Sequence, residues 1–150
     1  MSIDFNLLTI LAFALIANGV FASCVLLFKI DNKKANRYLS TLTFIFSLWL
    51  CDTFFRVAGI YEQNPNFYFL PIYFSFGFGP LIYLYTLQLT KKEYHFSNRL
   101  LFHFIPVFFQ FLFYCYLQLE DYSFRRNFWL EIHRPYTYDI ELAISFLILM

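Results

Sequence analysis

Two opposite charges, Asp52 and Arg56, stand four residues apart in the otherwise apolar run from Tyr38 to Tyr61. Side chains at this spacing lie on one face of a helix, so the acid and the base can pair. Charges inside a membrane-spanning helix are costly, normally face the bundle interior, and often mark functional sites. We predict a ligand or switch site at this pair. A structural role, with Arg56 reaching the interface and Asp52 bonding a neighbouring helix, stays open as the alternative.

A stripe of polar side chains is the second candidate, because four of them fall within an arc of about 80° when the chain turns 100° per residue. They are His103, Gln110, Tyr114 and Gln118. Such a stripe should face protein or water. Hydrogen bonds between helices are the favoured explanation, with a ligand site or a proton path as the alternative.

The segment Gly77-Phe78-Gly79-Pro80 predicts a helix kink at Gly77, Gly79 and Pro80. Pro80 has no N–H with which to bond the carbonyl of Phe76, and the glycines lower helix propensity. Distorted helices at membrane depth occur where protein or a water-filled cavity satisfies the freed carbonyls. The kink therefore indicates either a binding cavity or a local packing solution.

The candidate residues described above need long apolar helices to position them, and the composition of the chain predicts such helices. Hydrophobic residues make up 60% of the 150 residues and charged residues only 14%, too few to cover a water-facing surface. A membrane span needs about 20 apolar residues. The expected fold is an all-α integral membrane protein, a bundle of four full transmembrane helices plus the start of a fifth. The predicted helices cover residues 5–28, 38–61, 67–89, 100–119 and 140–150. The last run holds 11 residues, so we expect it to continue past Met150.

The basic residues predict the orientation, because Lys and Arg near span ends resist translocation. Seven of the 11 Lys and Arg lie in the two short connections after the first and third predicted helices. They are Lys29, Lys33, Lys34, Arg37, Lys91, Lys92 and Arg99. Both connections are therefore predicted in the cytoplasm, with the N-terminus outside.

Two further patterns suggest contacts. Gly19 and Ser23 in the first predicted helix are small residues spaced for close helix packing. In the outer connection, which follows the fourth predicted helix from Glu120 to Glu141, Phe124, Phe128 and Ile132 recur every four residues, which suits a short helix lying in the membrane interface.

Enzyme chemistry is not expected. The sequence has no Gly-x-Ser-x-Gly, no His-Glu-x-x-His, no phosphate-binding glycine-rich loop and no Lys within a span. Cys24, Cys51 and Cys115 lie within predicted spans without CxxC or His partners at ligand spacing. We expect them to be packing residues, with no cofactor or metal.

Four segments together resemble the N-terminal membrane region of bacterial seven-transmembrane AraC-type regulators. They are Lys33-Lys34-Ala35-Asn36-Arg37-Tyr38-Leu39, Asp52 followed by Ala58-Gly59-Ile60-Tyr61, Phe78-Gly79-Pro80-Leu81-Ile82-Tyr83-Leu84-Tyr85, and Leu101-Phe102-His103-Phe104-Ile105-Pro106. Their order and spacing run from about Lys29 to Gln110. Arg56 is not part of the pattern, so its pairing with Asp52 is particular to this chain.

The resemblance implies the sensory part of a one-component transcriptional regulator in the bacterial cytoplasmic (inner) membrane. A signal would pass to a cytoplasmic helix-turn-helix DNA-binding domain that residues 1–150 do not contain. The expected partners are the lipid bilayer, an unidentified small-molecule or membrane signal, DNA only through that missing C-terminal domain, and a second copy of the chain in a homodimer. A fragment of a transporter or channel, and a small membrane scaffold protein, remain the alternatives.

Overall fold

The structure is a computed structural model that describes residues 6–91 and 98–149, and within these ranges the regular structure is helical throughout. The α-helices are α1 (Leu7–Phe28), α2 (Lys33–Val57), α3 (Ile60–Gln63), α4 (Phe78–Thr90), α5 (Ile105–Leu119), α6 (Tyr122–Phe128) and α7 (Tyr138–Leu149). Short 3₁₀ turns cover Pro65–Phe67, Ser75–Gly77 and Asn98–Phe104, and a π-helical segment covers Trp129–Thr137. The predicted all-α class is confirmed.

Three helical stretches of the described chain are long and apolar enough to cross a membrane: Leu7–Phe28, Lys33–Val57 and Leu100–Leu119. They match the first, second and fourth predicted helices. Large apolar side chains on α1 face outward, with Leu7 74% and Phe21 70% exposed, as a lipid-facing helix requires. The predicted four full spans are not found, because the third predicted helix is broken.

The third predicted helix, residues 67–89, is α-helical only from Phe78. Pro71 lacks the N–H that a continuous helix would use, and the chain before α4 instead makes tight turns. Phe69 has a φ of 57°, and the Ile72 N–H donates to the Leu70 carbonyl at 2.7 Å. The first half of this apolar run is therefore a folded loop rather than half of a span.

The segment predicted to kink at Gly77, Gly79 and Pro80 lies at the junction between the 3₁₀ turn Ser75–Gly77 and the start of α4. Gly77 caps α4, so Pro80 lies in the first turn, where a missing N–H breaks no helical hydrogen bond. Gly77 is buried against α2. A Cβ added there would lie 3.0 Å from Ile45 Cδ1, so this glycine permits a close approach of the turn to α2.

Helix α1 begins with a capping box. The Thr9 N–H donates to Asn6 Oδ1 and the Asn6 N–H donates to Thr9 Oγ1, each at 2.9 Å. The predicted start at Phe5 lies outside the described residues.

Helices α1 and α2 pack closely where the first predicted helix carries its small residues, and this prediction is confirmed. A Cβ on Gly19 would lie 2.1 Å from Ser47 Oγ. Ser23 Oγ donates to the Ser40 carbonyl at 2.9 Å, and Ser40 Oγ donates to the Ser23 carbonyl at 2.7 Å. The exchanged hydroxyl bonds satisfy polar groups that would otherwise face hydrocarbon.

Helix α2 starts at Lys33 and stops at Val57, earlier at both ends than the predicted 38–61. Gly59, with a φ of 69°, takes the left-handed conformation that ends helices, and α3 follows it. The described chain then packs α2 against α1 and α4, α4 against α7, and α5 against the Ser75–Gly77 turn. Helix α7 occupies the fifth predicted helix, whose last residue, Met150, lies outside the described residues.

The largest buried cluster is aromatic and lies where the loop after α3 meets α5 and the π-helical segment. We call it the aromatic cluster. It consists of Tyr61, Tyr68, Phe69, Tyr73, Tyr114, Leu117 and Trp129. The ends of three predicted spans are thereby joined at one end of the bundle.

Candidate functional site

The predicted pair on α2 is formed. Arg56 Nη2 donates to Asp52 Oδ2 at 2.5 Å, with side chains 32% and 15% exposed. Spacing of four residues on one helix gives this contact without help from the rest of the fold. The rest of the fold determines what else the pair contacts.

Tyr61 closes the second side of the carboxylate. The left-handed turn at Gly59 reverses the chain after α2, and the Tyr61 hydroxyl then donates to Asp52 Oδ1. Each carboxylate oxygen of Asp52 therefore accepts a bond, one from a cation and one from a phenol.

The guanidinium of Arg56 contacts the aromatic cluster. Its Cζ lies 5.9 Å from the ring centroid of Trp129, within the range of a cation–π interaction. Trp129 packs edge-on against Tyr61 at 5.2 Å and stacks on Tyr68 at 5.1 Å. The charge pair of α2 is thus covered by a segment that follows α5 and α6 in the chain.

His133 lies one turn beyond Trp129 and is 3% exposed. Its ring lies 5.0 Å from that of Trp129 and 5.1 Å from that of Phe69, and its Nδ1 is 2.7 Å from Thr137 Oγ1. Burial, and then the positive charge of Arg56, lower the pKa of His133 to about 4. The imidazole beside the charge pair is therefore neutral at neutral pH.

Sequence reasoning missed His133, although a signal was present. Arg125, Trp129 and His133 recur every four residues and all three are buried. The predicted series faces outward only in part, because Phe124 and Ile132 are 43% and 44% exposed whereas the ring of Phe128 packs 5.5 Å from that of Phe69. The face of this segment that meets the protein is therefore the one that carries Arg125, Trp129 and His133.

A second polar group centres on Gln110 of α5. Gln110 Nε2 donates to Ser75 Oγ at 3.1 Å, and the Phe76 N–H donates to Gln110 Oε1 at 3.3 Å. Ser145 Oγ of α7 donates to Ser75 Oγ at 2.9 Å. Gln110 of α5 therefore bonds to the turn before α4 and is connected through Ser75 to α7.

Tyr114 lies one helical turn after Gln110 on α5, and it contacts an acidic side chain. Its hydroxyl donates to Glu141 Oε2 of α7 at 2.9 Å, and Gln118 Nε2 donates to the Asn66 carbonyl at 3.2 Å. Sequence position alone groups Glu141 with the acids of the outer connection. Its contact with Tyr114 instead directs it towards the bundle.

His103 does not join this stripe. It lies in the 3₁₀ turn Asn98–Phe104, whose three residues per turn change its phase relative to Gln110. The side chain is exposed, and its ring stacks on Tyr83 of α4 at 5.9 Å. Of the predicted site residues, the structure joins Asp52 with Arg56, connects Gln110 to a separate polar group, and leaves His103 apart from both.

No group of three or more His, Cys, Asp or Glu side chains that could hold a metal ion occurs in residues 6–91 and 98–149. Cys24, Cys51 and Cys115 are free thiols. The chemistry that the site offers is ionic and hydrogen-bonding. It consists of an ion pair, a phenol and a neutral imidazole enclosed by aromatic rings.

The described fold defines a coarse class, an all-helical chain with three helices that suit a membrane. No protein-family model, curated protein or solved structure matches the chain.

Proposed function

We propose that this chain is the membrane-embedded sensory part of a one-component transcriptional regulator of the seven-transmembrane AraC type, located in the bacterial inner membrane. The observation that carries the proposal is the contact between the Asp52–Arg56 pair and the aromatic cluster. It connects a membrane-crossing helix to the segment that covers its end. A signal received by that segment acts on α2 through this contact.

The energetics favour a switch at this position. A half-buried ion pair contributes little net stability, since desolvation offsets the attraction, whereas disrupting one partner leaves a costly charge. Arg56 is held by Asp52 of its own helix and by the face of Trp129. A ligand that moves Trp129 thus changes the environment of Arg56. Such differential contacts are what a ligand needs in order to favour one helix packing over another.

Two contacts involve residues of the segments that resemble the regulators. Asp52 and Tyr61, which belong to one of the four resembling segments, share a hydrogen bond. Tyr83 and His103, which belong to two others, stack on each other. The third and fourth of these segments are thus in contact.

The reading frame beyond codon 150 of the source gene tests the class directly. We expect further membrane spans followed by a helix-turn-helix domain. A downstream domain of another kind contradicts the proposal.

The full-length protein tests the site. We expect Asp52→Asn and Arg56→Gln to change the expression of one common set of genes by about five-fold or more, as typical coupling energies allow. Glu62→Gln is the matched control, because it neutralises an exposed acid in α3 at the same end of the bundle. RNA sequencing with equal membrane amounts of each variant gives the answer. Unchanged expression in both site variants would count against a switch role.

A further inference from the structure

Arg125 of α6 is a buried cation without a counter-ion among the described side chains. It is 9% exposed, and no carboxylate described in the structure lies within 4.0 Å of it. Its Nη2 donates to the side-chain oxygen of Asn66 at 3.2 Å, and its Nε has no hydrogen-bond partner. Arg125 therefore has a charge and a donor that the surrounding protein does not satisfy.

An unsatisfied acceptor belongs to the same group of residues. Gln118 Nε2 donates to the backbone carbonyl of Asn66, whereas Gln118 Oε1 is buried and without a partner. Asn66 contacts both side chains and is itself exposed. We call Asn66, Gln118 and Arg125 the Arg125 cluster. The exposed Asn66 thus covers the buried donor Nε of Arg125 and the buried acceptor Oε1 of Gln118.

A buried guanidinium without an anion is unfavourable, and an unsatisfied buried donor adds to that penalty. The anions that suit its planar fork are carboxylate and phosphate, which accept two parallel bonds. From this geometry we propose that the Arg125 cluster binds a phosphate group. Rotation of the exposed Asn66 side chain removes its neutral oxygen from Arg125, and a phosphate oxygen takes that place.

The surroundings indicate where the phosphate comes from. Tyr122 and Phe124, on the same short helix as Arg125, are 51% and 43% exposed, which is typical of a segment at the membrane interface. Phospholipid headgroups lie at that depth. An ethanolamine headgroup also carries an ammonium, which donates to an acceptor such as Gln118 Oε1. The inference is independent of the regulator proposal, because it requires only that this segment meets a phosphate.

Native mass spectrometry of the full chain released from detergent micelles tests the site with three probes. These are phosphatidylethanolamine, diacylglycerol with the same acyl chains, and inorganic phosphate. We expect one phosphatidylethanolamine to bind and diacylglycerol to bind much more weakly, because it lacks the phosphate. Competition by inorganic phosphate would support a site for a free phosphate ion. Its absence would support the lipid headgroup.

Matched variants identify the residue. Arg125→Gln should weaken phosphatidylethanolamine binding by about tenfold or more, since hydrogen bonds to a charged group carry about that much affinity. Arg126→Gln removes the same charge from the exposed neighbouring position and should leave binding unchanged. Asn66→Ala removes the competing oxygen and should not weaken binding. Arg125→Lys, which keeps the charge and loses the fork, carries the test if Arg125→Gln does not fold. It should bind several-fold more weakly than the original chain.

Three results would overturn the proposal. One is the absence of binding by both phosphate-containing probes. Another is equal binding of diacylglycerol and phosphatidylethanolamine. The third is an equal loss of binding in Arg125→Gln, or in Arg125→Lys, and in Arg126→Gln.

Discussion

Tyr61 gives Asp52 an environment that its own helix does not provide. The helix alone supplies Arg56 four residues away, and the turn at Gly59 adds the phenol on the other carboxylate oxygen. Arg56 in turn pairs with Asp52 as its counter-ion and packs against the ring of Trp129. The stability of the pair should therefore be strongly non-additive.

Replacing one partner of the Asp52–Arg56 pair should lower the free energy of unfolding more than replacing both. Asp52→Asn leaves Arg56 without its counter-charge, and we expect a loss of about 2 kcal/mol, below the value for fully buried pairs because Arg56 is partly exposed. The double variant Asp52→Asn/Arg56→Gln should regain at least half of that loss. Thermal unfolding in micelles, followed by tryptophan fluorescence, measures both, with Glu62→Gln as the control. Additive losses would show that the two side chains act independently.

His133 should make stability depend on pH. Its pKa of about 4 in the folded chain is below the ordinary value of 6.5, so the unfolded chain binds more protons between these values. Stability is therefore full above about pH 6.5, falls as the pH drops, and stops falling below about pH 4. The total loss is about 3 kcal/mol from this residue. In His133→Gln the midpoint of unfolding should no longer depend on pH over that range. His103→Gln, which changes an exposed histidine, is the control and should keep the pH dependence. If the unfolding midpoint of His133→Gln still falls with decreasing pH as steeply as that of the original chain, the assignment to His133 is wrong.

Among the elements, α1 and α2 follow most directly from the sequence, because periodicity and small residues act locally. Gly19 and Ser23 predict the close contact that Ser47 and Ser40 complete. The pairing on α2 is also local. By contrast, the apolar run from Phe67 to Leu89 predicts one helix, whereas the chain around Pro71 forms a loop.

The remaining errors have long-range causes. Glu141 meets Tyr114 across 27 positions, a contact that no local pattern encodes. His133 is buried because the segment after α6 folds back onto the aromatic cluster. His103 lies outside the predicted polar stripe because the 3₁₀ turn changes the angle between successive side chains. Sequence periodicity identifies one face of an element, and tertiary contacts decide what that face meets.

The contact of α1 with α2 should respond to single methyl groups. Gly19→Ala places a Cβ 2.1 Å from Ser47 Oγ, and we expect a loss of about 1–3 kcal/mol from overpacking. Ser47→Ala removes that oxygen, so the double variant Gly19→Ala/Ser47→Ala should be more stable than Gly19→Ala alone. Ala17→Gly, in the exposed part of the same helix, is a control for helix propensity. Failure of Ser47→Ala to rescue would show that the two helices do not meet at Gly19.

For the whole molecule, the cavities and clusters show which connections share an end of the bundle. Lys33, Lys34 and Gln88 line one cavity, which joins the start of α2 to the end of α4. The aromatic cluster joins the turn after α2 to the segment after α6 at the other end. The start of α2 and the end of α4, next to which the described residues Lys33, Lys34 and Lys91 lie, therefore belong to one end, an arrangement that agrees with an orientation set by positive charge.

Cysteine labelling in intact cells tests this orientation. After Cys24, Cys51 and Cys115 are changed to Ser, single cysteines replace exposed residues at the two ends, namely Asn32, Glu62 and Asn127. We expect a membrane-impermeant maleimide to label Glu62→Cys and Asn127→Cys in intact cells, because both lie at the end opposite the basic connections. Asn32→Cys should react only after lysis. Labelling of Asn32→Cys alone would invert the orientation and place the aromatic cluster in the cytoplasm. Labelling of both ends in intact cells would mean that α2 does not cross the membrane.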